Sequence, residues 1–275
     1  MKTLADKVAI VSGSGRGIGR AIALKLASEG AKVVVNDLDV APAEQTVADI
    51  KAAGGFALAC AGSVAGDGFA EKFVNTAIDG FGGLDIIINN AGYTWDNVIQ
   101  KMTDEQWDAI IGVHLTAPFK ILRAASEFIR AASKKEAEAG QEVFRKVVNI
   151  SSVAGIGGNA GQVNYSAAKA GVIGLTQAMA KEWGRYKVNV NCVAFGMIKT
   201  RLTEAPSTGG ASIDIEGREI RVGVSPDLLA MMERGIPLGR GGTPEEAAGS
   251  VYLLCTPESN YISGQTLVCG GGMMI

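Results

Sequence analysis

A tyrosine and a lysine four positions apart are the residues in this chain whose types and spacing point most directly to chemistry. They are Tyr165 and Lys169 in the stretch YSAAK, and the alanine-rich sequence around them predicts a helix. Residues four apart on a helix project from one face, about one turn from each other. A phenol with its ordinary pKa of about 10 is a poor base at neutral pH, and a nearby ammonium stabilises the phenolate. The pair predicts a proton-transfer group, although such a pair can also lie on a solvated helix face.

Two further side chains could join this pair. Ser152, 13 residues before Tyr165, ends the β-branched run KVVNISS and could bring a hydroxyl to the same point. The only histidine of the chain, His114, lies in the stretch IIGVHLTAP. It could act in catalysis, or it could be a satisfied residue of the core.

A glycine-rich loop follows the first predicted strand, in the stretch VSGSGRGIGR. Gly13, Gly17 and Gly19 fit the pattern G-x-x-x-G-x-G between a strand and a helix. Glycines let the backbone approach a pyrophosphate at a helix N-terminus, where unpaired N–H groups and the helix dipole favour an anion. The pattern alone is weak, since chance matches are common in a chain with 37 glycines. Its placement between strand and helix predicts a dinucleotide site.

A carboxylate at the end of the second predicted strand indicates which dinucleotide. Asp37 follows Gly19 by 18 positions, close to the spacing of about 20 expected for a carboxylate that binds an adenosine ribose diol. A carboxylate there repels a 2′-phosphate, so NAD is favoured over NADP. Arg16 in the glycine loop is the contrary signal, because it could pair with that phosphate. Asp37 could also be a turn residue, with Asp39 as a helix N-cap.

Short β-branched runs alternate with stretches of helical period along the chain. Residues 17–30 and 41–55 read as amphipathic helices, each closed by glycine. Strand and helix in alternation predict an α/β fold, with a parallel sheet covered by helices on both faces. We expect one domain over residues 1–275. The candidate strands are 7–13, 31–37, 56–62, 84–92, 146–152, 187–196 and 265–271.

Two stretches interrupt the regular spacing. Residues 131–146 are highly charged, which predicts a solvated extension. Residues 203–235 follow the sixth strand, and IDIEGREIRV within them alternates at period two around Glu216 and Gly217, a hairpin signal. We expect a substrate lid at about 203–235.

Composition excludes several classes of protein. The 28 acidic and 26 basic residues give a net charge of −2, without the basic field that nucleic-acid binding requires. No uncharged run reaches the roughly 18 apolar residues of a membrane span, and the first residues lack the pattern of a signal peptide. The four cysteines form no C-x-x-C pair, so no metal site is expected. These features predict a cytoplasmic protein with neither a membrane nor a nucleic-acid partner.

From Asp6 onward, the chain resembles the short-chain dehydrogenase/reductase family, of the type that includes 3-oxoacyl-carrier-protein reductases and 3-hydroxyacyl-CoA dehydrogenases. The resemblance rests on SGSGRGIG, NNAG at 89–92, Ser152, YSAAK and GMIKT at 196–200, in order and at family spacing. It implies a Rossmann-type, doubly wound, seven-stranded parallel sheet in a homotetramer.

The resemblance also implies roles for individual residues. Tyr165 would be the general acid/base, Ser152 would orient the carbonyl, and Lys169 would lower the tyrosine pKa and hold the nicotinamide ribose. Asn89 to Gly92 would line the cofactor floor, and Ile198 and Thr200 would face the nicotinamide carboxamide. The implied cofactor site comprises Gly13, Arg16, Gly17, Ile18, Gly19, Asp37, Ser63, Val64, Asn89, Ala91, Gly92, Tyr165, Lys169, Gly196, Ile198 and Thr200.

His114 stands where the family normally has a catalytic asparagine, in VNLTG, whereas this chain has VHLTA. An imidazole both donates and accepts hydrogen bonds, so a proton relay could survive the change; core packing remains the alternative. The dehydrogenase part of peroxisomal multifunctional β-oxidation enzymes has a similar VHL and VVND. That similarity favours an acyl-CoA substrate and NAD.

The leading hypothesis is therefore an NAD-dependent enzyme that interconverts a secondary alcohol and a ketone, with a 3-hydroxyacyl or 3-oxoacyl thioester as its small-molecule substrate. One alternative is an NADPH-dependent 3-oxoacyl-carrier-protein reductase, favoured by Arg16 and opposed by Asp37. Others are a dehydrogenase of a cyclic or steroid alcohol and a non-catalytic dinucleotide-binding protein.

Overall fold

The β-branched runs of the sequence form strands, and the amphipathic stretches between them form helices. The computed structural model describes residues 2–200, 211–215, 217–223 and 226–273. The strands in this part of the chain are β1 (Val8–Val11), β2 (Lys32–Val35), β3 (Phe56–Ala59), β4 (Ile86–Asn89), β5 (Arg145–Ser152), β6 (Val188–Phe195), β7 (Ala211–Ile215), β8 (Arg218–Val222) and β9 (Thr266–Cys269).

The helices between these strands begin and end close to the predicted positions. The first two are followed by left-handed Gly30 and Gly54, as the glycine signals predicted. The helices of the described residues are α1 (Gly17–Ser28), α2 (Val40–Ala52), α3 (Phe69–Phe81), α4 (Asp104–Ile111), α5 (Ala117–Glu138), α6 (Ala154–Gly157), α7 (Val163–Trp183), α8 (Pro226–Arg234) and α9 (Pro244–Leu253). A π-helical segment, Gly112–Thr116, joins α4 to α5.

Seven of the strands form one parallel sheet in the order β3-β2-β1-β4-β5-β6-β9. The chain first winds outward from β1 to β3 and then returns to place β4 on the other side of β1. This doubly wound arrangement confirms the predicted fold class. In such sheets the crevice for a ligand opens at the carboxyl ends of the strands, where the winding direction changes.

Alternate residues of the strands supply two separate cores, one on each face of the sheet. Ala9 and Val11 of β1 pack in the core beneath α1, α2 and α9, whereas Val8 and Ile10 pack in the core beneath α3 and α5. Fully burying an aliphatic side chain of this kind stabilises the fold by about 1.5–3 kcal/mol. Both faces are therefore apolar, which explains why the strands read as continuous Val and Ile runs.

The two interrupting stretches have definite structures where they are described. The predicted hairpin is confirmed: β7 and β8 pair antiparallel, and Gly217 at their turn has a φ of 80°. Residues 203–210, 216, 224 and 225 of the predicted lid lie outside the described residues. The first part of the charged extension forms the end of α5, which includes Glu136. The Glu136 carboxylate accepts a hydrogen bond at 2.9 Å from the guanidinium of Arg145, at the start of β5. That ion pair ties the helix end to the first residue of β5.

Candidate active site

A cleft of about 1700 Å³ opens at the carboxyl ends of the strands. Every residue of the predicted site lines it except Asn89. At one end lie the glycine loop and Asp37, at the other lies the β7–β8 hairpin, and Tyr165 lies between them. We call these the cofactor end and the substrate end.

The glycine loop at the cofactor end has no room for side chains at two of its glycines. A Cβ on Gly13, whose φ is 61°, would lie 2.7 Å from the Cα of Ala91. A Cβ on Gly19 would overlap the carbonyl oxygen of Gly13. Arg16, the residue before α1, makes no side-chain capping bond. The first amides of α1 therefore present unpaired N–H groups where Gly17, Ile18 and Gly19 line the cleft.

An asparagine that the sequence interpretation missed fixes this loop. Asn36 Oδ1 accepts a hydrogen bond from Gly13 N at 3.0 Å, and its Nδ2 donates to the carbonyl oxygens of Cys60 and Gly62, both at 3.0 Å. Asn36 thus links the ends of β1, β2 and β3. The signal available in the sequence was an asparagine directly after the VVV run of the second predicted strand.

Asp37 is 8% exposed and lines the cofactor end. Its Oδ1 accepts from the backbone N–H of Asp39 at 3.1 Å and lies 3.5 Å from the Arg16 guanidinium. Arg16 lies closer to Asp39, at 3.0 Å from its Oδ2. Asp39 is the residue before α2, but its carboxylate makes no capping hydrogen bond to the helix and pairs with Arg16. Ser63 and Val64 border the same end from the loop after β3.

The predicted proton-transfer residues meet midway along the cleft. Ser152 ends β5, and Tyr165 and Lys169 lie one turn apart on α7. The Ser152 hydroxyl oxygen accepts from the backbone N–H of Ala154 at 3.2 Å, and Ser152 and Tyr165 both line the cleft. Lys169 Nζ donates to the carbonyl oxygen of Ile150 at 2.8 Å and lies 5.5 Å from the centre of the Tyr165 ring. The structure therefore brings together the three groups that the spacing predicted.

The protonation states of this cluster differ from the sequence expectation. Burial raises the pKa of Tyr165 to about 12; the Ser152 hydrogen bond opposes that rise, and the Asp96 carboxylate adds to it. Burial also lowers the pKa of Lys169 to about 8. The pKa of Tyr165 is thus raised rather than lowered, and the Lys169 ammonium donates to the Ile150 carbonyl. Without a ligand, the phenol keeps its proton at neutral pH.

His114 lies on the π-helical segment and is 4% exposed. Its Nε2 is 2.7 Å from the carbonyl oxygen of Tyr93. A carbonyl only accepts, so we assign the proton to Nε2, and Nδ1 is left as an acceptor without a partner among the described residues. Burial, aided by the charge of Lys169, holds the pKa of His114 well below its usual range. The neutral ring stands edge-on to Tyr165, with 5.1 Å between ring centres.

Asn89 does not line the cofactor floor as predicted. Its Nδ2 donates at 2.8 Å to Oδ1 of Asn149, its register partner on β5, whose own Nδ2 donates to Thr176 of α7. The next residue takes the expected place: Asn90 lines the cleft, and its Nδ2 donates to the carbonyl oxygens of Ser12 and Gly13 at 3.0 and 3.1 Å. Ala91 and Gly92 line the cleft as predicted.

The segment after β6 forms the wall next to the proton-transfer residues. Gly196, Ile198 and Thr200 all line the cleft there. A Cβ on Gly196 would lie 2.8 Å from the Cα of Gly270, so a glycine is required where β6 and the segment after β9 meet.

Comparisons with known proteins agree with this geometry. The family model described as short chain dehydrogenase matches residues 7–209. A 3-oxoacyl-(acyl-carrier-protein) reductase of Synechocystis is 40% identical over 277 aligned positions, covering 100% of both chains. Proteins named 3-oxoacyl-(acyl-carrier-protein) reductase FabG from Vibrio cholerae and Staphylococcus aureus are 39% and 37% identical, and each alignment covers at least 97% of this chain and 98% of the relative.

The chain is a short-chain dehydrogenase. It is an oxidoreductase that acts on CH–OH groups with a nicotinamide dinucleotide.

The cleft of this short-chain dehydrogenase fits such a cofactor by its own geometry. Neighbouring atoms already fill the space that a Cβ on Gly13 or Gly19 would need, so both positions require glycine. The uncapped amides of α1 face the cleft and can bind a pyrophosphate. Among the described residues, no three His, Cys, Asp or Glu side chains come close enough to hold a metal ion. None of the helices in the same part of the chain is long and apolar enough to cross a membrane.

Proposed function

We propose that this short-chain dehydrogenase interconverts a secondary alcohol and a ketone with NAD(H), and that the substrate is a 3-hydroxyacyl or 3-oxoacyl thioester. The observation that carries the reaction type is the meeting of Ser152, Tyr165 and Lys169 in one cleft. The substrate class is supported by the relatives, which are named as reductases of 3-oxoacyl groups on a carrier protein.

The residues divide the work of proton transfer. In the direction of reduction, Tyr165 donates its proton to the substrate oxygen, because a phenol with a pKa of about 12 is fully protonated at neutral pH. Ser152, which lines the cleft together with Tyr165, orients the carbonyl oxygen. When bound, the nicotinamide supplies or accepts the hydride. Lys169 would hold its ribose, and the ammonium charge then comes to lie beside the phenol, which makes Tyr165 a better base for oxidation.

The imidazole of His114, which lies edge-on to Tyr165, can support this proton transfer. Its Nε2 is held by the Tyr93 carbonyl, and its Nδ1 is a buried acceptor without a partner among the described residues, on a ring that lies edge-on to Tyr165. An acceptor at that position can hold a proton-carrying water or a ribose hydroxyl in place. We assign it a positioning role in the relay that the family resemblance implies.

Asp37 favours NAD over NADP. Its buried carboxylate lines the cofactor end, where an adenosine ribose would place its two hydroxyls. The negative charge of this carboxylate would repel a 2′-phosphate. Arg16 is the residue that favours the second candidate, an NADPH-dependent reductase, because it lines the same end. Its guanidinium, however, is already paired with Asp39 and lies close to Asp37.

Turnover of acetoacetyl-CoA tests the proposal. We expect the purified protein to oxidise NADH in the presence of acetoacetyl-CoA, and to use NADPH less efficiently. Rapid turnover with NADPH alone would overturn the cofactor assignment and favour the carrier-protein reductase. Binding of NADH without turnover of any 3-oxoacyl thioester would overturn the substrate assignment and direct the search toward cyclic or steroid alcohols.

The homotetramer also stays a proposal. It is supported by β9, the last strand of the sheet, whose Leu267 and Val268 are 38% and 40% exposed. An apolar sheet edge of this kind is suited to pairing with another copy. Light scattering should give four times the mass of 28.4 kDa, and a monomer in solution would contradict it.

A further inference from the structure

Two segments that line the cleft are joined by an ion pair behind the lining. One is residues 196–200, which we call the wall segment, where Ile198 and Thr200 line the cleft. The other is α8, where Met232 lines it. The ammonium of Lys199 lies 2.8 Å from Oε1 of Glu233, the residue after Met232. Neither partner of this pair lines the cleft itself, so the pair acts on a ligand only through its neighbours.

Both partners of the ion pair are also held by the loop before α9. An ion pair whose side chains are 48% and 26% exposed would add little by itself. Here Glu233 Oε1 also accepts from Gly241 N at 3.3 Å. Lys199 N donates to the carbonyl oxygen of Gly242 at 2.8 Å, and Gly242 N donates to that of Met197 at 2.9 Å. A Cβ on Gly241 would lie 3.2 Å from Cγ of Lys199, so the lysine stem packs over this glycine.

α8 is the helix that follows the β7–β8 hairpin of the substrate end. Just after it, Ile236 is buried, and Leu238 N donates to the carbonyl oxygen of Gly271 at 3.1 Å. These contacts fix the chain beyond the helix, and the ion pair with Lys199 adds a contact on the last turn of the helix. The two contacts together set the position of Met232 in the cleft.

The wall segment lies where the hydride must be transferred. It begins directly after Phe195, the register partner of Ser152 on β5. A hydride and a proton add to the carbon and the oxygen of one carbonyl group, so a bound nicotinamide must come close to the atom that Tyr165 protonates. The wall segment therefore borders the nicotinamide in the proposed reaction, and Lys199 connects that border to α8.

We propose that Lys199 and Glu233 are positioning residues that couple the two ligands of the cleft. With a nicotinamide dinucleotide in place against the wall segment, their ion pair holds α8 where it binds the substrate. This inference rests on the proposed function, since it needs two ligands in one cleft. The coupling acts on binding and not on proton transfer, and it is reciprocal, so that each ligand tightens the other by the same factor.

Calorimetry measures the coupling. Acetoacetyl-CoA is titrated into the protein alone and into the protein saturated with NAD⁺, or with NADP⁺ if only that binds. The oxidised dinucleotide has no hydride to give, so the complex does not react. We expect it to tighten the binding of the thioester about fivefold, the upper range for an ion pair of this exposure. It should also slow hydrogen exchange of the α8 amides.

Variants of Lys199 assign these two effects to the ion pair. Lys199→Met removes the ammonium without changing a residue that lines the cleft, so it should abolish both effects and leave the affinity for the dinucleotide alone unchanged. Lys199→Arg keeps a cation for Glu233 and should retain both effects. The matched control is Arg240→Met, which breaks a different ion pair, with Glu246 of α9, and should also retain them.

Equal binding of the thioester with and without the dinucleotide, or coupling that survives in Lys199→Met, would overturn the inference. Hydrogen exchange separates it from the proposed function, because that measurement needs no thioester. If acetoacetyl-CoA binds in neither state but the dinucleotide slows exchange of α8 through Lys199, the proposed substrate is wrong and the role of the ion pair stands. If the bound dinucleotide leaves the exchange of α8 unchanged, the inference is wrong, and turnover of the thioester still decides the proposed function.

Discussion

The two ends of the cleft are held in place by different means. At the cofactor end, Gly13 approaches the backbone of Ala91, and Gly19 lies against the Gly13 carbonyl, with no room for a side chain. The side-chain amide of Asn36 adds hydrogen bonds there, all of them to backbone groups. At the substrate end, side chains hold one another, as in the bonds from Gln162 to Asp96 and from Arg218 to Glu105. A backbone contact admits few residue types, whereas a side-chain contact can be exchanged for another. The cofactor end is therefore built for one ligand, and the substrate end can change its specificity without loss of the fold.

The largest loss of activity should follow from a change to Tyr165, whose phenol lies between the two ends of the cleft. Replacing Tyr165 with Phe removes the proton donor, and we expect kcat to fall roughly a thousandfold, since acid–base catalysis contributes about 10²–10⁴. NADH affinity should change little, because the glycine loop is untouched. Stopped-flow turnover and fluorescence titration measure the two quantities. Tyr186→Phe makes the same change away from the cleft, and a similar fall there would show that the loss is structural.

A substitution at Gly13 tests whether the cofactor end depends on backbone contact. Gly13→Ala must adopt a positive φ and place its Cβ against Ala91, so we expect a loss of about 2–3 kcal/mol in the free energy of unfolding and a weaker affinity for NADH. Gly54→Ala has a positive φ but open space around it, and it should lose only about 1 kcal/mol. Denaturant unfolding checks both. Equal losses in the two variants would mean that close approach contributes nothing.

The smallest effect is expected at His114, on the boundary between the two ends. His114→Asn retains a donor for the Tyr93 carbonyl, so kcat should stay within about threefold. His114→Ala leaves that carbonyl without its donor, and an unsatisfied buried group costs about 1–3 kcal/mol. If the alanine variant is less stable but equally active per folded molecule, His114 is a core residue. A lower kcat in the alanine variant, restored in the asparagine variant, supports the positioning role.

The sequence could predict much of the cofactor end, because backbone geometry there depends on residue types that few others can replace. Gly13, Gly17 and Gly19 predicted the loop, and the spacing from Tyr165 to Lys169 predicted their common helix face. The sequence could not predict the roles of residues that act through a partner far away in the chain. Asn36 matters because it reaches the carbonyls after β3, and the direction of Asn89 depends on its neighbour Asn149 in β5.

The raised pKa of Tyr165 could not be predicted from spacing either, since it depends on burial, which the folded packing alone determines. Periodicity predicted the hairpin over the substrate end, but it could not say which of its side chains face the cleft.

The most direct test of the central claim, that Asp37 selects an unphosphorylated cofactor, is a titration of the protein with NADH and with NADPH. We expect NADH to bind at least about tenfold more tightly, since the Asp37 charge opposes the 2′-phosphate at short range. Asp37→Asn should remove most of the preference, whereas Asp79→Asn, which removes an exposed carboxylate on α3 outside the cleft, should retain it. Tighter binding of NADPH by the natural sequence would contradict the account and make Arg16 the residue that sets the cofactor.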